Sequence, residues 1–503
     1  MNDVRTQYSA DQILRLIRTR KDDFWLRERE RRPLRLFHEA ARRVPAYKDF
    51  LKKNKVHPEK IKTFKDFQLV PQISKKSYLR EYPLEKLCWD GTLKKPIVFT
   101  ATSGSTGEPF YFPRGEALDR EYSVLAELFL KNNPPRSGGP TLVIVGFGMG
   151  VWIGGLITYK AFEIASQRGN NPVSIITPGI NKKEIFHALR DLSPRFAQTI
   201  LIGYPPFIKD VIDEAESTEK INLKKLHLRI LTAAEAYTEK FRDYLVKKGG
   251  IKNLYLDTLN IYGTADIGAM AWETPISILI RRLLLNNKKL FNEIFTPIEK
   301  TPTLAQYNPL YVTFESAQGD ILLSGDNTIP LIRYAIGDHG GVLSFIDAVN
   351  RCKDFGIDAQ KEAQKVHVPL YRLPFVYVYE RNDFSTTLYG LQIYPETIRE
   401  ALLEPSTHRF VTGKFMMATK YNKQQDQYLE INLEVRKKKQ ISTKIKERIL
   451  FEIFSYLRTK NSEFRELSDF LGKRALPKLV FWPAEHPRYF RVGIKQKWVE
   501  KET

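Results

Sequence analysis

Between two short apolar, β-prone runs, Ile97–Thr100 and Phe110–Phe112, the sequence places Thr102-Ser-Gly-Ser-Thr-Gly-Glu-Pro109. Thr102, Ser103, Ser105 and Thr106 bring hydroxyls and backbone N–H groups, and Gly104 and Gly107 let the backbone come close to a ligand. Converging N–H groups of this kind make a nest for an anion, and a phosphate chain is the natural occupant. The stretch is not a Walker A loop, which needs Gly-Lys-Ser/Thr opening a helix. No lysine follows Gly107, and Glu108-Pro109 leads into a second strand. The same composition also makes a plain polar hairpin loop, and the residues alone leave the two readings level.

Further chemistry-bearing stretches follow in order. Thr232-Ala-Ala-Glu-Ala236 places Glu235 just after an apolar strand. Leu259-Asn-Ile-Tyr-Gly-Thr-Ala-Asp-Ile-Gly268 carries Tyr262, Gly263 and Asp266, and Pro330-Leu-Ile-Arg-Tyr-Ala-Ile-Gly-Asp338 ends on a carboxylate. Tyr379-Glu-Arg-Asn-Asp-Phe384 carries Arg381 and Asp383, and Arg491-Val-Gly-Ile-Lys-Gln-Lys-Trp-Val499 carries Lys495 and Lys497. Taken singly, these are strand ends, strand-to-helix turns and a basic tail. Asp338 is nevertheless an acceptor-only group with two oxygens, suited to a pair of hydroxyls. Asp266 has oxygens that a hard cation accepts. No Ser-His-Asp arrangement and no zinc-ligand spacing competes.

Taken together and in this order, the stretches resemble the adenylate-forming (acyl-CoA synthetase-like) superfamily, most closely its phenylacetate-CoA ligase and CapK-like branch. The resemblance covers roughly residues 44–499. It implies an ATP-dependent ligase that joins a carboxylic acid to AMP, releases pyrophosphate, and passes the acyl group to a thiol of CoA or a carrier protein, or to another nucleophile. It makes ATP and Mg²⁺ the expected cofactors, with CoA a further candidate. Thr102, Ser103, Gly104, Ser105, Thr106 and Gly107 would hold phosphates, and Glu235, Tyr262 and Gly263 would line the nucleoside pocket. Asp338 would take both ribose hydroxyls, Asp266 would hold the metal, and Arg381 would reach the nucleotide. A lid lysine would complete the site, with Lys495 at the better spacing and Lys497 the alternative. The chain departs from the family pattern at Ala234, Ala265 and Ala335, and its lid lysine is displaced. Those departures keep open a diverged nucleotide-binding protein whose basic surface binds nucleic acid or an acidic polymer.

The elements that would position these residues read as an α/β fold. Strand candidates Leu142–Val145, Val173–Ile176, Thr199–Ile202 and Leu228–Leu231 alternate with helix candidates Leu118–Leu130, Lys182–Leu189, Pro206–Glu214 and Glu239–Lys248. That alternation predicts a largely parallel sheet. A chain of 503 residues exceeds one ordinary core. The expected division is a large domain over residues 1–383, opening with a helical segment to about residue 90, and a small α+β lid over 384–503. Within the lid, 414–420 and 428–435 alternate as paired strands, 442–457 has helical spacing, and 478–482 reads as a strand. In the opening segment, Ser9–Tyr47 reads as helical, with Pro33 starting or breaking a helix.

Composition narrows the partners. The net charge is +22, but residues 384–503 hold 23 Lys and Arg against 14 Asp and Glu, so the excess is spread out. A spread charge disfavours, without excluding, a nucleic-acid partner, and it suits ATP, CoA or an acidic carrier. Cys88 and Cys352 fit a reducing compartment. The charged stretch Asn2–Arg32 carries no signal-peptide pattern, so a cytoplasmic location is expected. Leu142–Tyr159 is uncharged, but five glycines interrupt it. It reads as a buried strand, a glycine loop and a short apolar helix rather than a membrane span, and its Gly146-x-Gly148-x-Gly150 spacing misses the dinucleotide fingerprint.

Overall fold

Strands buried on both faces need near-continuous apolar runs, and the chain supplies them. In the computed structural model, β3 (Thr141–Gly146) and β5 (Gln198–Gly203) are buried along their whole length. The described residues are 8–94, 97–101, 110–135, 138–150, 153–169, 172–295, 301–379, 386–436, 439–487, 489–490 and 499. The phosphate-loop candidates Thr102–Gly107, the nucleotide-contact candidate Arg381 with its neighbour Asp383, and Lys495 and Lys497 lie outside them.

Two units divide the chain. The larger comprises 1–100, 111–203 and 211–380, and the smaller 101–110, 204–210 and 381–503. In the larger unit, β1 (Val98–Ala101) and β2 (Tyr111–Arg114) pair on either side of the loop candidate. The other strands are β4 (Val173–Ile176), β6 (Leu228–Ala233), β7 (Thr258–Thr264), β8 (Gly268–Trp272), β9 (Thr303–Gln306), β10 (Val312–Ala317), β11 (Asp320–Gly325), β12 (Leu331–Leu343) and β13 (Phe375–Tyr379). Among the described residues, eleven strands join in the order β10-β11-β12-β13-β9-β8-β7-β6-β5-β3-β4. From β4 to β7 the pairs are parallel, and from β7 to β10 they are antiparallel. The four expected strands and their crossover helices are all present, and the fold is α/β as expected.

The opening segment corrects one expectation. Its helices are Ala10–Thr19, Asp22–Arg43 and Pro45–Lys53, and Pro33 lies inside the second. Proline lacks the N–H that would bond the carbonyl four residues back. That carbonyl belongs to Arg29, and it accepts a hydrogen bond from the Thr313 hydroxyl on β10 at 3.4 Å. A partner far away in sequence thus takes the bond that proline gives up. The apolar stretch near residue 142 is β3 followed by the helix Ile153–Arg168, and no helix among the described residues is long and apolar enough to cross a membrane.

The smaller unit holds β14 (Thr386–Leu388), β15 (Leu391–Ile393), β16 (Val411–Tyr421), β17 (Gln427–Val435) and β18 (Lys478–Trp482). A two-residue turn joins β14 to β15, with Tyr389 at φ +50° and Gly390 at φ +82°, the left-handed pair that such hairpins require. Then Pro395 opens the helix Pro395–Leu403, whose Ile398 is fully buried. β16 and β17 are antiparallel, and β18 joins β17 in parallel. Ile449, Ile453 and Leu457, one turn apart on the helix Thr443–Lys460, pack in one core with Phe415, Met417, Ile431 and Leu433. Within this unit Lys209 pairs with Asp426 at 2.8 Å, and Arg474 with Asp210 at 3.0 Å.

A buried ion network braces the larger unit. Arg242, on the helix Glu239–Gly249, donates two bonds to Glu273 at 2.7 and 2.8 Å and one to Glu239 at 3.0 Å. Arg281, on the helix Pro275–Leu285, reaches Glu239 at 3.0 Å and the carbonyl of Tyr237 at 2.7 Å. Arg242, Arg281 and Glu273 are each no more than 1% exposed. Burial alone would push the Glu239 carboxyl up, but the guanidinium groups of Arg242, Arg281 and Arg282 hold it below its ordinary value of 4.5. A depressed carboxyl contributes stability that is present above its unfolded value and is lost as pH falls through the folded one. Acid should therefore loosen this brace below about pH 4.5. Glu273→Gln should cost about 3–5 kcal/mol, because it leaves the buried Arg242 and Arg281 to share the single carboxylate of Glu239. Urea denaturation at pH 7 checks this, and a loss under about 1 kcal/mol would show that the network is slack.

Candidate functional site

Tyr262 and Asp338 lie on strands that the sheet order separates by three others. At about 4.8 Å per strand, a flat sheet would hold them about 19 Å apart. The Tyr262 hydroxyl donates to Asp338 Oδ2 at 2.6 Å. The ring of Tyr262 also lies 6.1 Å from that of Phe314 on β10, at 29°, and Phe314 meets Tyr307 edge-on at 5.0 Å. The antiparallel half of the sheet therefore curls back until its far strands meet β7, and the candidate site lies along that seam.

Two bulges in β12 make the curl and aim the side chains. Asp320 pairs with His339 and Leu322 with Ala335, so Ile336, Gly337 and Asp338 face Ile321 alone. Gly337 takes φ +88°, a conformation that costs glycine least. Extra residues of this kind bend a strand and redirect a side chain, and they turn Asp338 to Tyr262. Asp338 is 7% exposed. The Gly-Asp pair, which reads locally as a strand end, is thus a mid-strand bulge, with pairing resuming from His339 to Leu343 against β13. The second bulge lies between Gly325 and Leu323 on β11, where Arg333 takes φ +47°. The Arg333 guanidinium is buried against Glu315, at 3.3 Å, and the carbonyl of Val70.

Gly263 has a packing reason besides any ligand. A Cβ there would stand 2.7 Å from the carbonyl oxygen of Gly268. Glu235 is 7% exposed, and its carbonyl accepts from the Asn260 side chain at 3.1 Å. The backbone N–H of Asn260 donates to Glu273 Oε2 at 3.1 Å, so the ion network also holds the loop that carries Glu235. Ala234, where the resemblance favours glycine, takes φ +75°. The tight turn is kept, and alanine bears its strain.

Asp266 differs most from its expected role. It is 2% exposed. Lys75 Nζ stands 2.9 Å from Oδ1, and the Tyr334 hydroxyl donates to Oδ2 at 2.6 Å. A divalent ion about 4 Å from that ammonium would be repelled by several kcal/mol even at an effective dielectric of about 20. This donor set does not fit a magnesium ion. Lys75 and Tyr334 are the site residues that motif reading missed. Tyr334 lies inside the stretch Pro330–Asp338, whereas Lys75 stands among polar residues that carry no local signal of a site. Of the expected residues, the structure brings together Tyr262, Gly263, Asp266 and Asp338 on or beside β7 and β12, with Glu235 on the loop after β6.

No protein-family profile matches the chain, and no curated protein matches it. Solved structures do. A 2-hydroxyisobutyryl-CoA ligase in complex with 2-HIB-AMP and CoA, in the thioesterification state, is similar over 100% of this chain and 95% of its own, with 17% identity and a TM-score of 0.64. The same enzyme in the postadenylation state with R3-HIB-AMP gives 16% identity and 0.53 over the same shares. Its open conformation with 2-HIB-AMP and CoA gives 17% and 0.52 over 100% and 97%. At these identities the likeness is one of fold, shared with 2-hydroxyisobutyryl-CoA ligase over the whole of this chain.

The strained turn orders a substitution series. Ala234→Gly should leave stability within about 1 kcal/mol of the parent, since relief of the left-handed strain offsets glycine's extra unfolded freedom. Ala234→Val should lose about 1–3 kcal/mol, because a branched Cβ suits φ > 0 least. Thermal melts of the three proteins check the order, and a valine variant as stable as the parent would show that the turn relaxes.

Proposed function

We propose that the chain activates a carboxylic acid with ATP, forming an acyl adenylate and pyrophosphate, and then passes the acyl group to a thiol. The observation that carries this reading is the Tyr262–Asp338 pair, set across a closed seam in a fold shared with 2-hydroxyisobutyryl-CoA ligase. An aromatic face beside an acceptor-only carboxylate suits a nucleoside: the ring stacks on the base and the two oxygens take the ribose hydroxyls. In the first step a substrate carboxylate oxygen bonds to the α-phosphorus as the bond to pyrophosphate breaks. In the second, a thiolate sulfur bonds to the acyl carbon as AMP leaves. Neither step needs a covalent enzyme intermediate, so the protein contributes positioning and charge.

Residues assigned by resemblance complete the proposal. Thr102–Gly107 would cradle phosphates, Arg381 would reach the nucleotide, and Lys495 would approach the α-phosphate and the acid. The complexes of the structural neighbour with 2-HIB-AMP and CoA support CoA as the acceptor here. The phenylacetate-CoA ligase and CapK-like branch remains the proposed affiliation.

Exchange of labelled pyrophosphate into ATP, dependent on an added carboxylic acid, tests the reaction class. Exchange with no acid across a broad panel would sink it. Asp338→Ala should weaken ATP binding by about 1.5–3 kcal/mol on calorimetric titration, and unchanged affinity in a folded variant would remove Asp338 from the site. Lys495→Ala should slow adenylate formation by about 10²–10³ while sparing transfer from a supplied acyl adenylate. The same selective defect in Lys497→Ala instead would move the lid lysine two residues on.

A further inference from the structure

The charge of Asp266 is answered from within the chain. We infer that Lys75 acts as a tethered ammonium in the place that the resemblance gives to a magnesium ion on Asp266. The chain then meets the nucleotide phosphates there with an internal cation and binds no divalent ion at that carboxylate. For its ligand this inference rests on the nucleotide-binding reading above; for its geometry it does not.

Both carboxylate oxygens are engaged, Oδ1 by Lys75 at 2.9 Å and Oδ2 by Tyr334 at 2.6 Å. The Asp266 backbone is held as well: its N–H donates to Thr264 Oγ1 at 3.2 Å, and its carbonyl accepts from Asn327 at 3.3 Å. Magnesium demands a near-ideal octahedron of oxygens. Among the described residues, no group of three or more His, Cys, Asp or Glu stands ready to hold a metal.

The backbone sets the position of Lys75. Ile73 forms a parallel bridge with Tyr334, its carbonyl accepting from the Ala335 N–H at 2.8 Å and its N–H donating to the Arg333 carbonyl at 3.3 Å. Ser74 caps the turn Lys75–Leu79 through the Ser77 N–H at 3.0 Å. Lys75 therefore enters the seam from the N-terminal segment, beside the residue whose hydroxyl holds the other carboxylate oxygen. Its side chain is 33% exposed, whereas that of Asp266 is 3% exposed, so the ammonium and not the carboxylate faces outward. Lys75 Nζ also lies 5.8 Å from the ring centroid of Phe112 on β2, the strand that leaves the loop candidate Thr102–Gly107. An ammonium has three donors, and phosphate accepts it as a point charge.

Two measurements on the full chain decide it. The first is Mn²⁺ uptake without nucleotide, read by electron paramagnetic resonance in wild type and Asp266→Asn. The second is ATP affinity by calorimetry in excess EDTA for wild type, Lys75→Arg, Lys75→Met, and Lys75→Met with Asp266→Asn, the last leaving no unpaired buried charge. We expect no uptake by wild type up to about 1 mM Mn²⁺. We expect metal-free ATP binding to weaken about ten- to a hundred-fold in both methionine variants, the loss of one charge-assisted contact, with Lys75→Arg retaining most of it. Uptake by wild type that Asp266→Asn abolishes would overturn the inference. So would unchanged metal-free ATP affinity in the double variant. A wild-type chain that binds no ATP, with or without Mg²⁺, would instead sink the nucleotide reading, and the Mn²⁺ measurement would still decide whether Asp266 is a metal ligand.

Discussion

The larger unit depends on one closure. A sheet of eleven strands that stayed flat would carry Tyr262 and Asp338 on separate stretches of surface, beyond reach of each other. Instead the antiparallel half turns back on β7. Two hydroxyl-to-carboxylate bonds cross the seam, from Tyr262 to Asp338 and from Tyr334 to Asp266. Each strand contributes one donor and its neighbourhood one acceptor, so the seam is fastened in both directions. The bulges in β12 are where the bend is taken up. Without them, hydrogen bonding to β11 and β13 would keep β12 straight and its carboxylate pointed elsewhere.

The parallel half supplies the fixed side of that seam. Arg242 and Arg281 bind Glu239 and Glu273 so that two helices, the start of β7 and the loop after β6 share one set of charges. Burial makes such a network expensive to leave incomplete, and that cost opposes its opening. Rigidity here is what the seam needs: the position of Tyr262 is only as defined as the strand that carries it. The strained Ala234 lies in the loop held by the same charges, and that loop keeps its conformation because its surroundings leave no alternative.

What could be read from the chain beforehand followed from how local each signal is. β3 and β5 are legible because burial on both faces leaves near-continuous apolar runs, and β17 because Leu429, Ile431, Leu433 and Val435 alternate with polar residues, although those polar residues are buried too. Pro33 misleads because the local rule is right and its remedy, Thr313, lies 280 residues away in sequence. Lys75 was hidden for the same reason: its partner is Asp266, and ion pairs between distant segments leave no spacing to detect. The Gly337-Asp338 pair reads as an end because a bulge and a turn draw on the same residues. Only the pairing of His339–Leu343 with β13 distinguishes them.

The bulge at Ile336–Asp338 also makes chain length itself a specified quantity. Beyond it, His339 to Leu343 pair residue by residue with Tyr379 to Phe375. A one-residue deletion between Ala335 and His339 would have to be absorbed by the bulge, which swings Asp338 off the seam, or by a slip against β13, which sends every side chain of that segment to the opposite face. Leu343, buried in one frame, would face outward in the other. Apolar positions such as Leu331 and Ile332 tolerate exchange among similar shapes. The count of residues from Ala335 to His339 has no such neighbours to exchange with, so insertions and deletions there disturb the seam more than an exchange between similar apolar side chains does.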